Sequence, residues 1–230
     1  MTNRYNNYSD FLKNKYGVKV YKLPISIPVT CPNRDGTCGF DGCSFCGDIG
    51  AGYQHVPDTV GIKEQIAMHK GHIIDKYKAK KFIAYLQNYS NTYLPLATLE
   101  KYLLEACDED VVRIALATRP DCVSDSYLEK LADIKSKTKV DISVELGLQT
   151  VNYHALEEIR RGHSLAEYLD AMQRINKYGL ESCTHVILNL PGSDRLDVIE
   201  TAKVLSAMKT TEAKIHALYI IKGTSMAEEY

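Results

Sequence analysis

An α/β fold built on a parallel sheet is what this sequence predicts, on three observations. Six runs of strand length, most of them rich in β-branched residues, alternate with helical stretches along the chain. Several of these runs are near-continuously apolar, the pattern of parallel strands covered by helices. Such an alternation favours right-handed crossovers joining neighbouring parallel strands.

The six runs, in order, are VKVYKLPISI (18–27), KFIAYL (81–86), VVRIALA (111–117), VDISVELGL (140–148), SCTHVILNL (182–190) and KIHALYII (214–221). Between them, Leu96, Leu99, Leu103 and Ala106 recur at helical spacing, as do Leu128, Leu131 and Ile134. Leu165, Leu169, Met172 and Ile175 form a third stripe, and Ser164 with Glu167 reads as the capping box that opens it. An eight-unit barrel takes about 250 residues, and here the first connection alone occupies roughly residues 30 to 80. Six units fit; eight do not. Residues 1–230 read as one core domain, and because the chain stops at SMAEEY without a closing helix, a further C-terminal segment is expected.

Composition narrows the function. With 28 Lys and Arg against 29 Asp and Glu, the net charge is -1, which argues against a polybasic nucleic-acid binder. Hydrophobic residues at 45% and charged residues at 25% exclude intrinsic disorder. No apolar run approaches the ~18 residues that would span a bilayer, and the polar start MTNRYNNYSDFLKNKYG is no signal peptide. A cytoplasmic protein is expected. In that compartment seven cysteines are not a disulfide framework. Cys107, Cys122 and Cys183 are scattered among apolar neighbours and read as small buried hydrophobes.

Cys31, Cys38, Cys43 and Cys46 are different. They crowd into TCPNRDGTCGFDGCSFCGDIG, where glycines leave the loop free to wrap a metal. Spacing alone leaves a structural zinc site and an iron–sulfur cluster open. Position favours the second, because the loop follows the first strand, and in parallel sheets chemistry gathers at the carboxyl ends of strands. Polar clusters also end the other strands: QNYSNTY, TRPD, ELGLQT, NLPGS and KGT.

Taken together, CPNRDGTCGFDGCSFC, YLQNYSNTY, ATRPDC, VELGLQT, RRGH, HVILNLPGS and KGT resemble the radical S-adenosylmethionine enzymes. More narrowly the chain resembles their YhcC/YtqA type, relatives of the catalytic subunit of Elongator, from Cys31 to Thr224. The resemblance implies a partial (β/α)6 barrel of the TIM type, with a 4Fe-4S cluster on Cys31, Cys43 and Cys46. Three ligands leave one iron open for the amino and carboxylate groups of S-adenosylmethionine, so Cys38, a departure from the family pattern, is not expected to ligate.

It also implies cofactor contacts around the rim. Phe45 would pack near the adenine, or simply anchor the loop. Gln87, Tyr89 and Asn91 stand where the superfamily contacts the methionine amine, although Asn91 and Thr92 could instead cap a helix. Thr118, Arg119 and Asp121 follow the third strand; Arg119 suits a carboxylate, of the bound methionine or of the substrate, or an internal pair with Asp121. Glu145 and Gln149 should share the cavity face with Gly147, Glu145 binding ribose or amine, or pairing with Arg119 or Arg161.

Arg161 and His163 are further substrate or cofactor candidates, with Gly162 ending a short helix and His163 alternatively satisfying a backbone group. NLPGS departs from the family strand at Asn189 and Ser193. The lysines at 76, 78, 80 and 81 read as a solvated face rather than a phosphate site. The implied substrate is the wobble uridine of a tRNA at the carboxymethylaminomethyl stage, with flavodoxin or ferredoxin as reductant. A small metabolite or protein substrate, and a zinc-stabilised binding module, are the alternatives.

Overall fold

The computed structural model describes residues 5–47 and 56–229. Its elements run α1 (Tyr8–Tyr16), β1 (Val20–Ile25), α2 (Ile62–Tyr77), β2 (Lys81–Leu86), α3 (Leu96–Ala106) and β3 (Val111–Thr118). There follow α4 (Asp125–Thr138), β4 (Asp141–Gln149), α5 (Tyr153–Glu158), α6 (Leu165–Lys177), β5 (Glu181–Leu188), α7 (Arg195–Ala207), β6 (Glu212–Ala217) and α8 (Ser225–Glu229). The six strands pair in sequence order, each parallel to the next. The sheet curls into a half-barrel with β1 and β6 as its two edges, the partial (β/α)6 architecture expected.

Alternation along each strand sorts side chains into two faces. Leu23 and Ile25, Phe82, Ala84 and Leu86, Ile114 and Leu116, and Ile142, Val144 and Leu146 point outward into one apolar core with the helices. The three helical stripes read from sequence supply the other half: Leu99 and Leu103 from α3, Leu128 and Leu131 from α4, Tyr168 and Met172 from α6. Ser164 and Glu167 do form the capping box of α6. The concave face is largely polar, and apolar where α1 covers it, at Ile83 and Ala115. It carries Lys22, Tyr85, Arg113, Glu145, Cys183, His185, Lys214 and His216.

Several expectations are corrected. β6 begins at Glu212 and ends at Ala217, so the apolar tail Leu218–Ile221 read as strand is not part of it. β1 is likewise shorter, because the segment after Ile25 leaves the ladder for the cysteine loop. A short helix, α8, follows the sixth strand where none was expected. Cys183 is buried, but beside Glu145 and His185 on the concave face rather than among apolar groups. Cys107 and Cys122 are only half-buried. Lys76, Lys78 and Lys80 are exposed around the start of β2, away from the carboxyl ends of the strands, and Lys81 pairs with Asp110 at 3.0 Å.

The floor of the half-barrel is a buried ion cluster. Arg113, 1% exposed at its side chain, donates to both Glu181 and Glu212. Helix α1 lies against this end, with Phe11, Leu12 and Tyr16 packing on Ile83, Tyr85 and Ala115. Lys15 adds an ion pair to Asp141 at 2.8 Å. Removing one member of such a cluster strands the remaining charges out of water. Arg113→Leu is therefore expected to cost about 3–5 kcal/mol of unfolding free energy, read by urea denaturation; a loss under about 1 kcal/mol, the range of an exposed pair, would show the cluster to be dispensable.

Candidate active site

The cysteine loop folds back on itself through its own backbone. Arg34 N donates to Cys31 O at 2.8 Å, Cys38 N to Pro32 O at 2.8 Å, Gly42 N to Asn33 O at 2.7 Å and Cys46 N to Cys43 O at 2.9 Å. The Arg34 side chain clamps the loop's end, donating to the carbonyls of Cys46 and Gly47 at 3.0 and 2.9 Å. Phe45 packs against Leu156, Ile159, Leu190 and Met226, which makes it an anchor of the loop.

Cys43 is buried, Cys31 and Cys46 are partly so, and Cys38 is exposed. Burial pushes the Cys46 thiol up, the neighbouring Cys43 adds to this, Arg34 opposes it, and Cys31 contributes last. The Cys46 thiol thus feels the charge of both Cys43 and Cys31. Two N–H donors reach the Cys43 sulfur: Asn33 Nδ2 at 3.5 Å and Arg161 Nη1 at 3.4 Å. Hydrogen bonds to a ligating sulfur tune a bound cluster.

Arg161 and Asn33 are themselves fixed. Arg161 donates from Nε and Nη2 to the Gly147 carbonyl, at 3.2 and 2.6 Å, and a Cβ at Gly147 would lie 2.6 Å from that Nη2. Asn33 Nδ2 also donates to the carbonyls of Arg160 and Arg161, at 2.7 and 3.1 Å. Gly162 has φ +70°, and a Cβ there would fall on Asn33 Oδ1. Gly162 does not end helix α5, as expected from RRGH; Arg160, at φ +53°, takes the left-handed turn, and Gly162 instead makes room for Asn33.

The polar ends of β2 and β3 are knitted together. Thr118 shares its hydroxyl with Ser90 at 3.0 Å and Thr92 at 2.6 Å, and Thr92 also donates to Cys122 O at 2.7 Å. Asn91 Nδ2 lies within 3.0 Å of the carbonyl oxygens of Leu86, Asn88 and Ala117. Its Oδ1 is buried and has no hydrogen-bond partner among the described residues. Gln87 is half-buried, and the Tyr89 ring stands 5.4 Å from the Arg34 guanidinium. Arg119 spends its guanidinium internally: Nε and Nη2 grip Asp121 at 2.9 and 2.7 Å, and Nη1 donates to Arg161 O at 2.8 Å.

Glu145 pairs with neither Arg119 nor Arg161. Its Oε1 accepts from Lys22 Nζ at 2.7 Å and its Oε2 contacts His185 Nε2 at 2.7 Å. Burial alone would raise its pKa, yet the His185 bond and the Lys22 charge hold the carboxyl well below the usual range. Gln149 adopts φ +77° beside a register shift in the β4–β5 ladder, and its Nε2 would lie 2.9 Å from a Cβ on Gly147, so the two do share a face. His163 is buried between two carbonyls, Ser164 O and Gly147 O, each at 3.1 Å from a ring nitrogen. Burial, with Arg161 beside it, pulls its pKa down to about 3.

The sequence reading passed over Asn33, Ser90, Lys22 and His185. Asn33 lay inside the quoted cysteine motif, between two prospective ligands, which is the one signal that marked it. Lys22 and His185 carried a subtler one: charged or polar residues alternating with apolar ones within strand runs.

A half-barrel of six parallel strands, with Cys31, Cys43 and Cys46 on the loop that follows its first strand, suits an enzyme that cradles an iron–sulfur cluster. The residues fit such a group: three thiols on one loop, two N–H donors on the sulfur of Cys43, and in Asn91 Oδ1 a buried acceptor with no donor among the described residues. Residues 26–205 match the radical SAM superfamily, and the chain belongs to it. It is similar to YtqA of Bacillus subtilis (strain 168), 37% identical over 99% of this chain and 70% of that protein. YhcC of Escherichia coli (strain K12) is 34% identical over 98% of this chain and 72% of its own length. The tRNA uridine(34) acetyltransferase of Methanocaldococcus jannaschii is 27% identical over 54% of this chain and 23% of that protein. Among solved structures, the archaeal Elp3 of Methanocaldococcus infernus shares the fold, with a TM-score of 0.60 at 18% identity, over 91% of this chain. This chain spans about half, 48%, of that one. The protein is thus an S-adenosylmethionine-dependent enzyme of the YhcC/YtqA type, and its cofactors are a 4Fe-4S cluster and S-adenosylmethionine. Among the described residues, no helix is long and apolar enough to cross a membrane.

Two predictions follow from this geometry. Gly162→Ala should cost about 1–3 kcal/mol from its positive φ alone, and more because Asn33 must move; bound iron per chain should fall as well. Gly179→Ala, at φ +65° with nothing within 4 Å, isolates the backbone part. Equal losses of stability at the two glycines, with full iron in both, would show that Asn33 does not depend on Gly162. The second concerns pH. An unfolded histidine protonates near ~6.5, whereas His163 in the folded chain stays neutral down to about 3. Its contribution is fully present above the unfolded value and is lost as pH falls between the two. Between pH 6 and 4.5, wild type should lose up to about 1.4 kcal/mol per pH unit more than His163→Asn in urea unfolding. Parallel curves would contradict a neutral buried His163.

Proposed function

We propose that the protein holds its 4Fe-4S cluster on Cys31, Cys43 and Cys46 and acts on the wobble-uridine side chain of a tRNA at the carboxymethylaminomethyl stage. When bound, the cluster supplies one electron to the sulfonium of S-adenosylmethionine, releasing methionine and a 5′-deoxyadenosyl radical that takes a hydrogen atom from the substrate. The observation that carries the reading is the convergence on Cys43, whose sulfur accepts from Asn33 and Arg161. Exposed Cys38 stands apart as the thiol without a ligand role, which leaves the open coordination position free.

In this reading Arg161 and Asn33 orient the buried sulfur and offset the charge of a thiolate-bound cluster. Asn91 Oδ1 accepts an N–H from the methionine amine, a contact that satisfies an otherwise orphaned acceptor. Gln87, Tyr89, Thr118 and Gln149 line the remainder of the cofactor site, and Phe45 anchors the loop beside it. Arg119 and Asp121, locked to one another, hold the turn that carries Arg161 and His163 in place. The tRNA part rests on the similarity to a tRNA uridine(34) acetyltransferase. Residues 1–230 act as one core domain in the cytoplasm, with flavodoxin or ferredoxin as electron source.

Anaerobic reconstitution with iron and sulfide, then dithionite reduction with S-adenosylmethionine, tests both parts. Formation of 5′-deoxyadenosine should fall to background in Cys31→Ala, Cys43→Ala and Cys46→Ala and persist in Cys38→Ala. Tightly bound zinc with no 5′-deoxyadenosine would overturn the ligand assignment. Adding tRNA that carries the carboxymethylaminomethyl group should raise the yield and consume that group, with binding that weakens as salt rises. Turnover indifferent to this tRNA would point to a small metabolite or protein instead.

A further inference from the structure

The concave face below the cysteine site holds a set of charges that does not balance. Glu145 is its one carboxylate at mid-depth, 1% exposed, and its two oxygens go to Lys22 and to His185. Lys214, from the edge strand β6, shares the same space. It donates to the Tyr85 hydroxyl at 3.2 Å and lies within 4.0 Å of no carboxylate among the described residues. Both ammonium groups also approach the Tyr85 ring, Lys22 at 4.2 Å and Lys214 at 5.0 Å from its centre. Two lysines thus face one carboxylate, and burial lowers the pKa of Lys214, a shift that the charge of Glu145 opposes. The nearest other carboxylates, Glu181 and Glu212, are committed to Arg113 at the floor.

The remaining groups around these lysines carry no compensating charge. Buried Tyr85 from β2, and Tyr8 from α1, whose ring is exposed at its edge of the fold, are both pushed up and stay neutral. Cys183 from β5 is raised by burial and by Glu145, and stays a thiol. His185 is lowered by burial, and His216 is pulled down to about 4 by burial and by His185. The Nε2 of His216 lies 3.3 Å from His185 Nδ1. If His185 donates from Nε2 to Glu145, its Nδ1 accepts from His216, and the rings pass polarity from Glu145 toward the open side of the half-barrel.

Glu145, Cys183 and His185 bring three donor atoms within 4.8 Å of one another, which on its face suits a metal ion. Two ammonium groups in the same space argue against a divalent cation there, and for an anion. We propose that Lys214 and Lys22, with His216 at the rim, bind an oxyanion of the substrate, a carboxylate or a phosphate, and so fix the depth to which it enters the half-barrel. The site lies one pleat below Gly147, whose carbonyl holds Arg161 against Cys43, so a group anchored on the lysines extends toward the cysteine site. This inference deepens the proposed function by naming what the concave face recognises. Its test does not depend on 5′-deoxyadenosine, so the two readings can fail separately.

The experiment is competitive amine labelling of the reconstituted protein, saturated with S-adenosylmethionine and kept anaerobic, with each lysine quantified by mass spectrometry. Labelling is compared in acetate, in inorganic phosphate and in chloride at equal ionic strength. The expected result is selective protection of Lys22 and Lys214 by acetate or phosphate, with exposed Lys76 and Lys80 unchanged. The anion that protects at the lower concentration identifies the substrate group as carboxylate or phosphate. Lys214→Met should abolish protection of Lys22, whereas Lys214→Arg should preserve it. Protection given equally by chloride, protection of Lys22 that survives Lys214→Met, or a Lys214 that never reacts and is therefore closed to the lumen, would each overturn the proposal.

Discussion

The carbonyl of Gly147 is the point on which the upper half of the molecule turns. It sits near the end of β4 and receives Arg161 through two nitrogens, with His163 Nε2 at 3.1 Å from the same oxygen. From there Arg161 reaches the sulfur of Cys43, while its own carbonyl takes N–H groups from Arg119 and Asn33. A guanidinium donates and never accepts, so each contact fixes a direction as well as a distance. The cysteine loop, the β3 end and the turn after α5 are all indexed to one backbone atom of the sheet. A side chain at 147 would begin 2.6 Å from the guanidinium and push Arg161 off this contact.

Below this junction the half-barrel separates two kinds of stabilisation. Outside, the sheet and helices bury aliphatic side chains at close to zero exposure, and that burial drives folding without regard to chemistry. Inside, ionisable groups occupy the concave face and are held by pairing. Buried ion pairs add little net stability compared with apolar packing of the same volume. Arg113 with Glu181 and Glu212, or Glu145 with Lys22 and His185, are therefore poor explanations of why the protein folds. They are better understood as the interior an enzyme needs, polar and preorganised, sealed at one end by α1.

Legibility followed the same division. The strand runs at 81–86, 111–117 and 140–148 and the stripes of α3, α4 and α6 were plain in the sequence, because their outward faces obey hydrophobic periodicity. Helix α2 was missed: its core positions include Gln65, fully buried and bonded to Ser26 and Val60 backbone atoms, which breaks the apolar stripe. Helix α7 was missed for the opposite reason, since Leu196, Val198 and Ile199 are exposed and blur its two faces. The cysteine loop was legible through spacing and position. The partners of Glu145 were not, because Lys22 and His185 stand 123 and 40 residues away in the chain and meet only when the sheet curls.

Curvature therefore does chemical as well as architectural work. In a flat sheet, β1 and β4 would lie three strand spacings apart with β2 and β3 between them, and Lys22 could not ion-pair with Glu145. The lysine reaches across the concavity over the Tyr85 ring, and Lys214 reaches in from the far edge toward the same ring. The register supports this depth: Glu145 pairs with Cys183, and Gly147 with His185, so the acid lies one pleat beneath the Arg161 junction. The cysteine site and the charged interior are thereby tied to a single strand, β4. A shift of β4 by one residue would reverse its two faces, expelling Glu145 from the interior and removing the space that admits Arg161. The alternation of apolar and functional residues in DISVELGLQ thus sets both the core and the site with one pattern.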